Sequence, residues 1–391
     1  MKSERMRNDV EEALACDARV AMWLADPMET ATGLMLLRTL SMPDVRRLAV
    51  MPDVHPSKGV CVGTAFSTHD LVYPAAIGGD IGCGMGTVRL RGDVEEIDGR
   101  EVLRVLGESV PVMVRRAPAT SVRGLARMPE AGELTEERLR RIAERDGVLQ
   151  LGTLGRGNHF VEVQRDEGGS LWIMVHSGSR AMGQAVAGHY ARVAEREGRH
   201  AALDAVARSS AAGQNYLSDQ AWCVRYARAN RTAMLAAAAA GLRRVLGVDA
   251  DWESWMDVPH NLVAVEIHDG EEVLVHRKGA APAHAGAAGM IPGSAGTMSV
   301  HVEGRGEARA LCTSSHGAGR LLSRSDAKRV VSARDVVREM AGVVFDERRV
   351  HGLRDESPSV YRDLREVMRA QRELVKTTRT LRPVVSFKAA G

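Results

Sequence analysis

The chain has 391 residues, 45% apolar and 26% charged, with a formal net charge of +3 when histidine is neutral. This is globular composition, long enough for one large domain or two, so disorder is excluded and any nucleic-acid contact must come from a local basic patch. Five scattered cysteines (Cys16, Cys61, Cys83, Cys223 and Cys312) form no Cys-x-x-Cys pair, which argues against a disulfide framework or zinc ribbon and for a reducing, cytoplasmic setting. At the N-terminus, charge without a following apolar run predicts no secretory leader. Residues 1–50 read as short helices leading into a strand, with 13–23 moderately amphipathic. Strand-like runs follow at 60–66 and 87–90. Residues 95–150 are charge-rich with a helical pattern, interrupted by Arg115, Arg116, Arg123 and Arg127 among prolines; a solvated connector is the plainer reading and a mobile lid the other.

From 151 the pattern returns to strand, at 160–163 and 171–175, around a turn at 166–169. Helices are predicted over 182–210 and 218–246, the second carrying small side chains at 236–240 for close packing. The apolar run at 233–242 is too short to span a bilayer. A hairpin is expected from 261–267 and 273–276 around Asp269-Gly270. Residues 279–296 read as irregular but ordered around a ligand, and a last helix over 360–381 ends before Pro383. With no repeat, linker or composition shift, the simplest organisation is a single α+β domain over 1–391, with mixed sheets around a central cleft.

The chemistry concentrates at Asp80-Ile-Gly-Cys83-Gly-Met-Gly86. A carboxylate and a thiol three positions apart, in a backbone almost free of side chains, can converge on one point. Taken alone, Cys83 reads as a buried structural cysteine in a tight turn. His159, His176 and His260, each in a polar or Gly/Asn-flanked setting, add imidazoles, and the mixed donor set suits a transition metal. None of the spacings is a metal motif, and Zn, Fe and Mn remain open.

Residues 292–299 place hydroxyls and backbone amides in one segment suited to phosphates or a base edge. His316, between Ser315 and Gly317, is sterically open for attack on phosphorus, with Arg320 close behind; a turn with an exposed histidine is the blander alternative. Arg180, four residues past His176, can meet a phosphate with two hydrogen bonds. Arg362, Arg365, Arg369, Arg372, Lys376 and Arg379 form a basic stripe on the last predicted helix, most simply a solvated face, otherwise an RNA-backbone contact.

Together these segments resemble the RtcB family of RNA-splicing ligases. The matching stretches include Met51-Pro-Asp-Val-His55, Pro74 to Met85, Leu151-Gly-Thr-Leu154, Gly157-Asn-His-Phe160, His176-Ser-Gly-Ser-Arg180, His276-Arg-Lys-Gly-Ala280, Ile291-Pro-Gly-Ser294, His316-Gly-Ala-Gly-Arg320 and Asp355-Glu356. They run in the family's order from about residue 45 to the C-terminus. The resemblance implies a GTP- and manganese-dependent ligase joining an RNA 3′-phosphate or 2′,3′-cyclic phosphate to a 5′-hydroxyl, in RNA repair or tRNA splicing. It implies that Asp80, Cys83, His159, His176 and His260 hold two manganese ions with Cys83 bridging, and that His316 becomes a GMP–histidine adduct. The implied guanylate pocket draws on Asn158, His159, Phe160, Val161, Glu162, His260, Asn261, Pro292, Gly293, Ser294, Ala295, Ser299, Gly317, Ala318, Gly319, Tyr361 and Lys388. Arg180 and Arg320 are implied phosphate contacts, broken tRNA or rRNA the partner, and an archease-type protein a possible activator. Departures from the family pattern, such as Arg156 and the Ala-Ala-Gly ending after Lys388, point toward a repair-type paralogue. Two competing readings are a metal-dependent RNA-end phosphohydrolase or cyclic phosphodiesterase, and a non-catalytic RNA-associated module.

Overall fold

Two sheets and one long helix position the candidate site. The structure, a computed structural model, describes residues 2–92, 94–113, 127–197 and 203–388. In chain order the strands of the two sheets are β1 (Val20–Met22), β2 (Val45–His55), β3 (Val62–Thr68), β4 (Gly84–Arg91), β5 (Phe160–Asp166), β6 (Leu171–Ser177), β7 (Asp249–Pro259), β8 (Asn261–His268), β9 (Glu271–Lys278), β10 (Ala288–Ile291), β11 (Ser299–Gly304) and β12 (Val375–Lys388). The five-stranded sheet runs β1-β2-β3-β9-β8 and the seven-stranded sheet β10-β11-β12-β5-β6-β4-β7. The β1–β2 pair is parallel; the other neighbours in both sheets are antiparallel.

Local chemistry explains the pairings nearest the site. The β5–β6 turn closes because Asp166 Oδ1 accepts from Gly168 N at 3.0 Å and Ser170 N at 2.8 Å. In the β8–β9 hairpin Asp269 and Gly270 both have positive φ, 54° and 82°, as a two-residue turn matching strand twist requires. Alternation along β5 sends Val161 and Val163 into a core with Ile173, Val175 and Val88, and leaves Phe160 and Glu162 on the other face.

That core is covered by helix α2 (Ala211–Leu246), which follows α1 (Ala181–Glu197). Ser210 caps α2 through its side chain, and Gly247 ends it at φ 68°. Ala237, Ala238 and Ala239 lie in the core, where small side chains let the helix approach the sheet. One α2 side chain goes further. Buried Arg231 binds Asp257 at 2.6 and 2.8 Å and donates to the carbonyls of Gly82 (2.7 Å) and Ser177 (2.8 Å). It ties the helix to the loop that carries Cys83.

Several predicted elements change. The expected helix over 360–381 is a seven-residue helix, Leu364–Ala370, followed by the fourteen-residue strand β12. The β-branched residues after Leu374 are taken up by pairing with β11 on one side and β5 on the other. Pro383 is tolerated there because the register shifts beside it. The six basic residues therefore do not share one helix face, and the predicted stripe does not exist. Of the predicted 182–210 helix the described helical part is Ala181–Glu197, and Val206–Ala207 instead pairs as a strand with Leu71–Val72. In the N-terminal region the helices Lys2–Cys16 and Thr30–Leu40 lead into β2 as expected, while 13–23 is helix end, turn and strand. Strand β7 was not anticipated, and 279–296 contains a short strand, Ala280–Pro282, as well as β10. Of the basic stretch, Arg115, Arg116 and Arg123 lie outside the described residues. No helix among the described residues is long and apolar enough to cross a membrane.

Candidate metal and nucleotide site

Five side chains from four segments meet at one end of the sheets. Asp80 and Cys83 come from the loop before β4, His159 precedes β5, His176 is on β6, and His260 sits between β7 and β8. Cys83 Sγ lies 3.2 Å from His176 Nε2 and 3.6 Å from His159 Nε2. Asp80 Oδ2 is 3.3 Å from His159 Nε2, and His176 Nε2 is 3.3 Å from His260 Nε2. Close approach of the backbone makes this possible. A Cβ on Gly178 would stand 2.2 Å from Asp80 Oδ1, and one on Gly82, at φ 71°, would stand 2.8 Å from the Val224 backbone of α2.

Tautomers follow from the second ring nitrogens. His159 Nδ1 faces the Leu154 carbonyl at 2.9 Å and His176 Nδ1 the Asn158 carbonyl at 3.1 Å. Carbonyls only accept, so both Nδ1 atoms carry a proton; in His176 this leaves the Nε2 lone pair pointing into the cluster, and in His159 it is Nε2 that faces Asp80 and Cys83. Burial, reinforced by neighbouring histidines, pushes His176 and His260 well below the usual imidazole range, so both are neutral. Burial and the Asp80 charge push the Cys83 thiol well up. Desolvation works to raise Asp80, yet the hydrogen bond and charge of His159 outweigh it and bring the carboxyl down to about 2.

Lone pairs, a carboxylate and a thiol aimed at one another form a donor set that a divalent cation completes, and a bound cation would deprotonate the thiol. The ligand atoms form two overlapping triads, Asp80–Cys83–His159 and Cys83–His176–His260, each with its atoms within 4.8 Å of one another. Sulfur belongs to both. The residues present therefore form a donor set that could hold a divalent cation, with the thiol in reach of both triads.

His316 stands next to this cluster, its ring centroid 4.8 Å from that of His260. Its Nδ1 lies 2.7 Å from Asp53 Oδ2, and its backbone N–H donates to the same oxygen at 3.2 Å. Asp53 is fully buried on β2. The carboxylate holds the proton on Nδ1 and leaves Nε2 as the nitrogen with a free lone pair. A carboxylate that fixes a ring in this way leaves the second nitrogen chemically available.

A narrow cavity opens beside His316, lined by Met85, Asn158, Phe160, Glu162, His176, His260, Pro292, Gly293, Ser294, Ala295, Glu356, Tyr361 and Lys388. Its polar groups are paired across it. Lys388 Nζ and Tyr361 Oη each donate to Glu356 Oε2 at 2.5 Å. Arg324 reaches Glu356 Oε1 at 2.9 Å, and the Arg320 guanidinium lies over the Tyr361 ring at 5.2 Å. Glu162 accepts from Gln164 Nε2 (2.9 Å) and Ser386 Oγ (3.0 Å), and burial lifts its carboxyl to about 7. A larger cleft of about 1860 Å³ shares Asn158, His260, His316 and Tyr361 and adds Asp80, Cys83, Asn261, Arg320 and Lys278.

A sequence model of one protein family, described as tRNA-splicing ligase RtcB, matches residues 35–389. This chain belongs to the RtcB family. The RNA-splicing ligase RtcB of Escherichia coli K12 is 35% identical, with 95% of this chain and 98% of that relative covered. RNA-splicing ligase RtcB1 of another Escherichia coli strain is 36% identical over the same shares. The tRNA-splicing ligase RtcB of Nanoarchaeum equitans is 30% identical, with 93% of each chain covered.

Within this RtcB-family chain most of the sequence-predicted residues converge, and a few do not. Val161 and Ala318 are buried in hydrophobic cores, so neither side chain lines a cavity. Ser299 is buried behind Glu162, accepting from Gln164 at 3.2 Å. Gly317 packs near the Pro292 carbonyl, and Gly319 adopts φ 73° with no room for a Cβ over Asp53. Asn261 holds the cluster from behind, donating to the Asp80 carbonyl and accepting from Gly279 N. Arg180 lines neither cavity; it is held at φ 59° with its Nε 3.4 Å from Thr153 Oγ1. Sequence reasoning missed Asp53 and Glu356 as site residues. Both lie inside stretches that carried the family resemblance, but their partners are 263 and 32 residues away.

Proposed function

We propose that this chain is a GTP- and manganese-dependent RNA ligase, acting as one domain, that seals RNA 3′-phosphate or 2′,3′-cyclic phosphate ends to 5′-hydroxyl ends. One observation carries the reading. His316, fixed through Nδ1 by Asp53, lines both the cavity and the larger cleft and abuts the candidate metal-ligand cluster. Manganese held by Asp80, Cys83, His159, His176 and His260 supplies charge neutralisation and orientation of phosphates.

The chain's own residues account for the rest. His316 Nε2 attacks the α-phosphorus of GTP in the cavity, and the bond to the β-phosphate oxygen breaks, releasing pyrophosphate. Asp53 keeps the proton on Nδ1 while positive charge develops on the ring. A 2′,3′-cyclic end is first opened by water, which breaks the 2′-O–P bond and leaves a 3′-phosphate; the terminal 3′-phosphate then takes GMP from His316, whose protonated adduct makes the ring a good leaving group. Finally the 5′-hydroxyl attacks the activated 3′-phosphate, losing its proton, and GMP departs. Glu162, Glu356 and Lys388 offer acceptors and a donor for the nucleotide, while Arg320 and Arg324 face the cleft where RNA phosphates would enter. The same reading makes broken tRNA or rRNA in the cytoplasm the substrate, and an archease-type protein the activator to add to the assay.

The test uses GTP labelled at the α-phosphate with manganese. An acid-labile, alkali-stable protein adduct is expected in the unaltered chain and none in His316→Ala, with sealing of a 3′-phosphate/5′-hydroxyl RNA pair following the same pattern. An unlabelled protein that removes or opens terminal phosphates without sealing would establish the phosphohydrolase reading instead.

A further inference from the structure

Strand β7 is the last strand of its sheet, and it is interrupted. Thr87 pairs with Met256 and Arg89 with Asp251, so one residue of β4, Val88, faces four of β7. Such a bulge re-aims side chains. Here Ser254 pins it, accepting from Arg89 N at 2.8 Å and donating to the Asp251 carbonyl at 2.7 Å. Trp252 and Trp255 are consequently both turned toward α2, where they border an open groove of about 970 Å³ with Arg127, Arg225, Arg228 and Thr232. The helix contributes its residues at spacings of three and four, so they share one face.

Charge and aromatic surface coincide in this groove. Among the described residues no acidic side chain lines it. Arg225 pairs with Glu133 at its margin, whereas Arg127 and Arg228 are exposed and have no acidic partner among the described residues. The Arg228 guanidinium already lies 4.5 Å from the centre of the Trp255 ring. The chain's other tryptophans, Trp23, Trp172 and Trp222, are buried. Half-exposed indoles flanked by unpaired guanidinium groups suit a ligand with flat faces and regularly spaced negative charge, which describes unpaired nucleotides. A duplex hides its base faces and would leave the indoles without partners.

We propose that this groove is a second RNA contact, binding a single-stranded segment that flanks the broken end. The partner class rests on the ligase reading above. The groove lies five residues of β7 before His260, about 17 Å of extended strand, and among the described residues β7 is the edge strand of its sheet.

The full-length chain is titrated with a single-stranded oligoribonucleotide lacking a 3′-phosphate, following tryptophan fluorescence and affinity at several salt concentrations. Stacking is expected to quench the exposed indoles. Arg127→Glu combined with Arg228→Glu is expected to lower the log–log salt slope by about 1.4, at about 0.7 per single-strand phosphate contact. Trp252→Ala, the independent arm should the charge variant fail to fold, is expected to weaken binding about tenfold, the scale of one stacked base. GMP labelling should be unchanged in both. Full quenching and unaltered affinity in the variants would overturn the groove while leaving the ligase intact, as would competition by an acidic peptide of equal charge as effective as RNA. RNA quenching in a protein that never takes up GMP would sustain the groove and sink the ligase.

Discussion

Asp53 and His316, 263 residues apart, share a 2.7 Å contact in which a fully buried carboxylate oxygen also accepts the histidine's own backbone N–H. Two donors from one residue on one oxygen lock both the ring's orientation and its tautomer. The other carboxylate oxygen has no partner among the described residues, so Asp53 is committed to this one task.

Asp53→Asn should therefore slow GMP uptake without moving the ring. The amide oxygen can still accept from Nδ1–H, but the charge that favours a developing imidazolium is gone. A loss on the order of 10²- to 10³-fold in the initial labelling rate is expected, with near-native thermal unfolding. Equal rates in the two proteins would mean that the carboxylate only braces the backbone.

Cys83→Ala removes the one donor common to both triads. Both ions should be held at least about 100-fold more weakly, since even outer partners of metal ligands change affinity 10- to 100-fold. Metal content after dialysis against a weak chelator is the measurement. Two retained ions would show that the thiol is a bystander.

Gly178→Ala tests the cradle independently of any ligand. The added methyl would stand 2.2 Å from Asp80 Oδ1 and 3.4 Å from Cys83 Cα, so Asp80 has to swing away. Metal occupancy should fall at the Asp80–Cys83–His159 triad first, with the Asp53–His316 pair untouched. Unchanged manganese affinity would mean that Asp80 does not bind the ion from this position.

Glu162 supplies a pH dependence. Burial lifts its carboxyl from 4.5 to about 7, so between these values the folded chain keeps a proton that the unfolded chain releases. Its stabilising share is complete below about pH 4.5 and disappears as pH rises through 7, amounting to at most about 3 kcal/mol. The buried neutral His176 and His260 act in the opposite direction over the same range, so Glu162→Gln is the reference: as pH rises from 5 to 8, the denaturant midpoint of the unaltered metal- and nucleotide-free protein should fall relative to that of the variant. Asp80, brought down to about 2, acts only at far lower pH and does not interfere. A slope preserved in the Gln variant would place the titration elsewhere.

The metal-ligand cluster was legible because its residue types are unusual in their settings. A thiol and a carboxylate among glycines, and histidines beside asparagine or serine, remain recognisable wherever the fold puts them. The sites of Asp53 and Glu356 were not, since a lone aspartate in a strand and a glutamate in an acidic pair look like any others until partners arrive from distant segments. The same applies to 360–381. Leu364, Val367 and Met368 do form a helical face, but Leu374 and Val375 belong to the next element. Local periodicity could not see β11 and β5 waiting on either side.

Residue chemistry in chain order was thus sufficient to single out a candidate donor set and a candidate nucleophile, and for the family resemblance that the comparisons bear out. Tertiary structure alone decided which nitrogen of each histidine faces the cluster, which carboxylate steers His316, and which predicted residues turn away. Tautomer, desolvation and orientation depend on atoms a few ångströms away in space, and these belong to segments the linear order keeps far apart.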